Sequence, residues 1–383
     1  MPEPEAKSSL SEIIRLFLWL SLIGFGGPAA HIALMERELV ERRGWLSREQ
    51  FLDLVGGCNL LPGPSSTQVA MALGYTRRRW LGLFAAGCCF ILPAALATLA
   101  LAWAYVRYGH LPQAQGLLYG AKPVMVAIIA QAVWRLGRMA LRGWILGLLG
   151  AACFVAAFTG APPIAVLLVA GGLLLALAWQ KSRPDSSNRS IWWFAGVGSV
   201  SGASLGNAIG LVSLGLTFLK LGVVVFGSGY VLLAFLRDDL VHRLHWITEQ
   251  QLLDAITAGQ VTPGPVFATA TFIGYLLRGW SGALVATVAI FLPSFFLAGA
   301  VGALAGRIRK SKLAAAFIDG VNAGAVALMA QVGLMLGKAT FVDGWAWAIG
   351  LVSALFLLRF EVNATWLILS GAALGILLHG GLR

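Results

Sequence analysis

Hydrophobic residues fall along this chain in long unbroken runs, not in the alternating or one-faced patterns of a soluble protein. Trp80 to Val106 and Trp280 to Ala305 contain no charged residue, and each exceeds the roughly 20 residues that cross a bilayer core as a helix. Barrel strands would alternate over about ten residues, so the runs predict helices. In order, the first half predicts an apolar helix over Ile13 to Leu34 and a charged stretch from Glu36 to Glu49, in which Ser47 is placed to cap the next helix. Then come an interrupted apolar segment, Phe51 to Tyr75, and four spans: Trp80 to Val106, Gln115 to about Trp134, Trp144 to Phe158 and Pro162 to Trp179.

The polar stretch Lys181 to Arg189 divides the chain, and past it the pattern restarts. Phe25 returns as Phe226, Trp45 as Trp246, Asp53 as Asp254 and Pro62-Gly63-Pro64 as Pro263-Gly264-Pro265, each 201 residues on. Gly74, Pro93, Gly120 and Gln131 return 200 residues on, as Gly274, Pro293, Gly320 and Gln331. This is an internal duplication: residues 1–180 form one repeat, 181–191 a cytoplasmic linker, and 192–383 a second repeat in which 192–210 is a connecting span. Glycines four apart there (Gly198, Gly202, Gly206, Gly210) suit close helix packing.

Loop charge orients the halves. In the first, Arg77 to Arg79 and Arg135, Arg138 and Arg142 mark heavy loops, with Arg107 alone between them. In the second, Arg278 and Lys338 are light and Arg307, Arg309, Lys310 and Lys312 are heavy. Heavy and light loops have exchanged places, so by the positive-inside rule the halves are inverted, an arrangement that puts a substrate site near the midplane. The fold class expected is an all-α polytopic membrane protein of two inverted halves with helices broken at Pro-Gly-Pro. If each break crosses the membrane there are about 13 spans; if each dips in and returns there are 10 plus two re-entrant segments. The stretch Ile191 to Phe235, about 45 residues with Lys220 as its one charge, is too long for one span and favours thirteen, with the N-terminus cytoplasmic.

Composition sharpens this picture. Of 383 residues 58% are hydrophobic and 11% charged, against about 25% charged in a soluble domain. The formal net charge of +12 sits in short loops, where retention on the cytoplasmic side explains it better than nucleic acid does. Cys58, Cys88, Cys89 and Cys153 lie in apolar segments without metal-ligand spacing, and read as packing residues. No nucleophile motif, phosphate-binding loop or metal cluster suggests an enzyme or a cofactor.

The chemistry concentrates at the breaks. Proline lacks an amide N–H and disfavours helix in the residue before it, so Pro-Gly-Pro stops one helix and starts another. In a bilayer the freed backbone groups must be buried in protein or line a wet cavity. The helix beginning at Pro64 offers free N–H groups, with Ser65, Ser66 and Thr67 hydroxyls in its first turn, a setting for an oxyanion. A structural kink is the competing explanation. Further candidates for substrate contact are Asn59 and Gln260, three residues before each first proline; Pro62, Gly63, Pro64, Pro263, Gly264, Pro265 and Thr269; Gln131 and Gln331; and the cations Lys122 and Lys220. The glutamines could equally bond between helices, and the lysines could snorkel to headgroups. Candidates for carrying protons are His31, Asp53 and Asp254.

Phe25-Gly26-Gly27-Pro28, Gly44-Trp45-Leu46, Pro62-Gly63-Pro64 and their second-half echoes resemble the chromate ion transporter family in its long, two-domain form. The resemblance spans nearly the whole chain. It implies an inner-membrane carrier that exports chromate, driven by the proton gradient, and confers chromate resistance. Gly227-Ser228-Gly229 replaces Gly26-Gly27-Pro28 in the second half, which implies that the halves are not equivalent in the transport cycle. Chromate and sulfate are both tetrahedral dianions, so either fits, as carrier substrate or through an uncoupled anion channel. The expected partners are such an oxyanion and the lipid bilayer, with a homodimer left open; no cofactor, metal or nucleic acid is expected.

Overall fold

The computed structural model describes residues 9–25, 27–59, 61–181, 210–225, 231–308, 312–360 and 362–380. The central linker, the connecting span with Gly198, Gly202 and Gly206, and the Phe226 to Gly229 motif lie outside the described residues. Among the described residues the regular elements are helices. In the first half these are α1 (Leu10–Ile23), α2 (Pro28–Met35, continued by a π-helical stretch Glu36–Arg42), α3 (Arg48–Asn59), α4 (Ser65–Tyr108), α5 (Pro112–Ala140), α6 (Trp144–Phe158) and α7 (Pro163–Lys181). The second half gives α8 (Leu211–Val224), α9 (Val231–Leu236, continued by a π-helical stretch Arg237–Arg243), α10 (Glu249–Val261), α11 (Thr269–Ile308), α12 (Lys312–Thr340), α13 (Gly344–Arg359) and α14 (Ala364–Gly380). Even the π-helical stretches recur in the duplication.

Local chemistry sets the boundaries. Ser47 caps α3 as its sequence predicts: its Oγ accepts from Gln50 N at 3.2 Å while Gln50 Oε1 accepts from Ser47 N at 2.8 Å. Thr248 and Gln251 repeat this reciprocal cap on α10. In α4 the backbone leaves the helical region at Arg78 and Arg79, and in α11 at Arg278 and Gly279. Each is therefore two segments folded back on one another. A side chain at Gly74 or Gly82 would strike the other residue's backbone, and the pair Gly274 and Gly282 behaves likewise.

These folds decide how the broken segments run. In the first half, Arg43 at the end of the α2 arm reaches Glu12 at the start of α1, at 3.1 Å. The Arg77 guanidinium, ending the first segment of α4, lies 5.1 Å from the ring centre of Trp45, just before α3. Both pairs of arms thus leave and return to one side of the molecule. An arm such as α3, with 12 residues, rises only about 18 Å, short of the roughly 30 Å hydrocarbon core. Of the two topologies the sequence left open, the re-entrant one describes the Pro-Gly-Pro segments; the count of about thirteen needs them to cross, and the count of ten needs Ile13 to Leu34 to cross. The stretch from Ile13 to Leu34, expected as one helix, is a second such hairpin, turning at Gly24.

Five helical stretches are long and apolar enough to cross a membrane: Ser65–Tyr108, Pro112–Ala140, Pro163–Gln180, Val266–Val301 and Ala315–Thr340. Large apolar side chains on them face outward, among them Leu81, Phe84, Leu284 and Phe296, as a lipid-facing surface requires. The long segments of α4 and α11 pack antiparallel at the centre, with Trp80 against Gly299 and Phe84 stacked on Phe295 at 5.2 Å. The Arg78 and Arg278 kinks therefore lie at opposite ends, and the halves are inverted. They also interlock: α5 packs on α13 and α14 of the second half, and α12 packs on α6 and α7 of the first. Gly120 of α5 meets the backbone of Gly371, and Gly320 of α12 meets that of Ala170, approaches that only glycine permits.

Candidate functional site

Each Pro-Gly-Pro break is the tip of a hairpin, and each tip is tied to the other half. Gly63 N donates to Val225 O at 2.6 Å, and Gly264 N donates to Gly24 O at 2.9 Å. Both donors and both acceptors are 201 residues apart, so the two bonds are related by the internal duplication. The prolines contribute no N–H, which leaves the glycines to make these contacts. Gly63 has φ 112° and Gly264 φ 95°, conformations that disfavour any side chain. A Cβ at Gly63 would also lie 2.6 Å from Gln68 Nε2 and 2.7 Å from Ser294 Oγ; at Gly264 it would lie 2.8 Å from Ala94 Cβ. Pro93 and Pro293, inside the central crossing helices, immediately precede those wall residues.

Around this common frame the two tips differ. At the first, Ser65, Ser66, Thr67 and Gln68 open α4 and all four are buried. Gln68 Nε2 donates to Pro62 O across the turn. His31 lies 3.3 Å from Ser66 Oγ through Nδ1 and 2.9 Å from Gly24 O through Nε2, so it is buried at the break and not at a span end. Thr67 Oγ1, Gln68 Oε1 and Ser294 Oγ are buried with no hydrogen-bond partner among the described residues. A buried polar atom left unpaired costs about 1–3 kcal/mol, and three of them lie on this tip and its wall.

At the second tip the equivalent positions are Val266, Phe267 and Ala268, in a short 3-10 turn. Its hydroxyls are engaged: Thr269 Oγ1 donates to Val266 O at 2.8 Å, and Thr262 Oγ1 lies 3.1 Å from both Gly259 O and Thr98 Oγ1. Gln260 Nε2 is the unpaired group nearby. Gln260 is buried, whereas its counterpart Asn59 is exposed.

The other candidates lie elsewhere. Lys122 Nζ is 2.8 Å from Asp254 Oδ1, with the lysine side chain 11% and the aspartate 3% exposed. Tyr105 OH donates to the other carboxylate oxygen at 2.9 Å. This cluster joins α4 and α5 of the first half to α10 of the second. It lines a cavity of about 430 Å³ with Gln115, Tyr119, Gln250 and Thr340. Lys220 is held by both oxygens of Asp239, at 2.8 and 2.9 Å. Asp53, the counterpart of Asp254, is half-buried. Gln131 Nε2 donates to Leu357 O at 2.9 Å and Gln331 Nε2 to Ala157 O at 3.4 Å, symmetric bonds between helices of opposite halves. The structure thus brings His31, Ser66, Gln68 and both tips together, and leaves the lysines and paired glutamines in separate contacts.

Sequence reasoning passed over Gln68, Tyr105 and Ser294. Gln68 ends the first break's polar run, and Ser294 follows the repeated Pro293, so both carried a local signal. Tyr105 carried none, since an aromatic residue near a span end is ordinary.

A donor-rich helix start at the contact between two inverted halves is a setting in which an anion can be held. The family model for chromate transporters matches the chain twice, over residues 11–176 and 212–376. The chain belongs to the chromate transporter family. It is 33% identical over 380 residues to a chromate transport protein of Cupriavidus metallidurans, covering 96% of this chain and 92% of that one. It is 32% identical to a probable chromate transport protein of Synechococcus elongatus (90% and 89% covered) and 33% identical to a chromate transport protein of Pseudomonas aeruginosa (87% and 82% covered). No solved structure matches the chain.

Proposed function

We propose that this member of the family is a secondary transporter that exports chromate across the inner membrane, coupled to the proton gradient, and so confers chromate resistance. The observation that carries the reading is the first break: a helix start with buried hydroxyls and unpaired polar atoms, at the contact between inverted halves. Neutral donors suit a tetrahedral dianion that must also leave, because a fixed cation there would hold it. Ser66 and Thr67 hydroxyls with the first-turn N–H groups of α4 bind the oxyanion, and rocking of one half against the other exposes it alternately.

Asp254 is the proton carrier in this reading. It is buried, it bonds across the halves, and it borders a cavity. Protonation there would release Lys122 and loosen the contact between the halves, tying proton binding to their movement. The first hairpins' face carries Arg42, Arg43, Arg48, Arg77, Arg78 and Arg79, which by the positive-inside rule makes it and the N-terminus cytoplasmic. Proteoliposome flux tests the function. Chromate should accumulate when a pH gradient is imposed, and sulfate should compete if shape and charge alone are read. Chromate movement indifferent to the gradient would make the protein an uncoupled channel. Saturable sulfate flux without chromate flux would make it a sulfate carrier.

A further inference from the structure

We propose that Ser294, carried by the second half, touches the substrate at the first break, so that the oxyanion site is single, one-sided and completed across the interface between the halves. The inference rests on the reading of the first break as the oxyanion site, and adds to it a ligand from the other repeat.

Ser294 is fully buried in α11, directly after Pro293. Its hydroxyl stands against the first tip, 2.7 Å from where a side chain of residue 63 would begin, and the Gln68 carboxamide borders the same point at 2.6 Å. A hydroxyl within an apolar helix ordinarily donates back to a carbonyl one turn earlier. Thr217, Thr257 and Thr287 all do so here, to Ser213 O, Leu253 O and Ala283 O. Ser294 Oγ does not, and it has no partner among the described residues. Its neighbour Gln68 donates its amide nitrogen to Pro62 O, which orients the carboxamide across the turn. Ser294 Oγ and Thr67 Oγ1, the unpaired buried hydroxyls at this tip, can donate to an oxyanion at the N-terminus of the first segment of α4, where backbone N–H groups lack helical acceptors.

The mirror position removes the alternative that such a hydroxyl is a packing requirement of the fold. Residue 94 is alanine, and the second tip rests on its methyl group and on Ser21 Oγ. Ser21 already donates to Phe90 O at 2.8 Å. The same backbone arrangement is therefore built without a free donor on one side and with one on the other. Because Ser294 rides on α11 while Ser66 and Thr67 ride on α4, separating the halves takes the donors apart. Substrate affinity is thereby linked to closure.

The test is initial-rate chromate uptake by the full-length protein in proteoliposomes, with folding of each variant checked by thermal unfolding in detergent. Ser294→Ala should raise the half-saturation concentration about tenfold, the scale of one hydrogen bond to a charged ligand. Ser294→Cys, nearly the same size and a poorer donor, should raise it as well, and serves if the alanine variant does not fold. Ala94→Ser should leave it unchanged. Wild-type half-saturation in the folded Ser294 variants, or an equal shift in Ala94→Ser, overturns the proposal. Ser66→Ala with Thr67→Ala in the same assay separates the two levels. A shift there without one at Ser294 removes Ser294 and keeps the first-break site, whereas no shift in any variant removes both.

Discussion

The two Pro-Gly-Pro tips share a backbone and differ in chemistry. Both are made by a glycine at positive φ, both donate that glycine's N–H to the opposite half, and both lean on a crossing helix just after its proline. Only the first opens its helix with Ser65, Ser66, Thr67 and Gln68, and has His31 against it; the second has Val266, Phe267 and Ala268. Duplication preserved the architecture that holds an inverted pair together, while the polar side chains are concentrated on one side. A symmetric frame lets the two access states resemble each other. On the proposed function, a single polar tip means one substrate site serves both.

The comparison can be strained first at the ion pairs, which are equally lopsided. Removing the Lys122 ammonium with Lys122→Ala leaves the buried Asp254 carboxylate without its cation, with the Tyr105 hydroxyl still donating to it, and should cost about 3–5 kcal/mol of stability. Lys220 is 33% exposed in its pair with Asp239, and Asp239 keeps Arg243 at 2.8 Å when Lys220 is removed, so Lys220→Ala should cost about 1 kcal/mol or less. Thermal unfolding in one detergent, at one lipid content, compares the two. Equal losses would mean that the Lys122–Asp254 pair is no better shielded than the Lys220–Asp239 pair.

A smaller effect separates structural from functional polar groups. Gln131 and Gln331 make matching bonds to backbone carbonyls of the opposite half, so Gln131→Leu and Gln331→Leu should each cost about 0.6 kcal/mol, the average for such bonds in membrane helices. Neither should alter the half-saturation for chromate. A tenfold shift in either would return these residues to the substrate path.

Much of this was legible in the sequence. The near-constant offset identified the duplication, the exchange of heavy and light loops identified the inversion, and Pro62-Gly63-Pro64 identified the place where backbone groups are freed. The hairpins were not legible, because hydropathy adds two short arms into one run: Ile13 to Leu34 has the length of a span, and only Gly24 to Pro28 hints that it turns. The pairing of Lys122 with Asp254 could not be read either. Those residues belong to different repeats, and only the interlocking of α5 with the second half brings them together. Serines and threonines in apolar spans look alike in sequence; whether a hydroxyl bonds its own helix, as Thr257 does, or stands unpaired, as Ser294 does, depends on tertiary contact alone.

The central claim, that binding chemistry resides at the first tip, is tested most directly by exchanging the burden between tips in one transport assay. Chromate uptake into proteoliposomes is measured for Ser66→Ala with Thr67→Ala, and separately for Thr262→Ala with Thr269→Ala. The first pair should raise the half-saturation concentration at least tenfold, corresponding to about 1.4 kcal/mol, and the second should leave it within about twofold, below 0.5 kcal/mol. Equal shifts at both tips, or a shift confined to the second, would contradict the account.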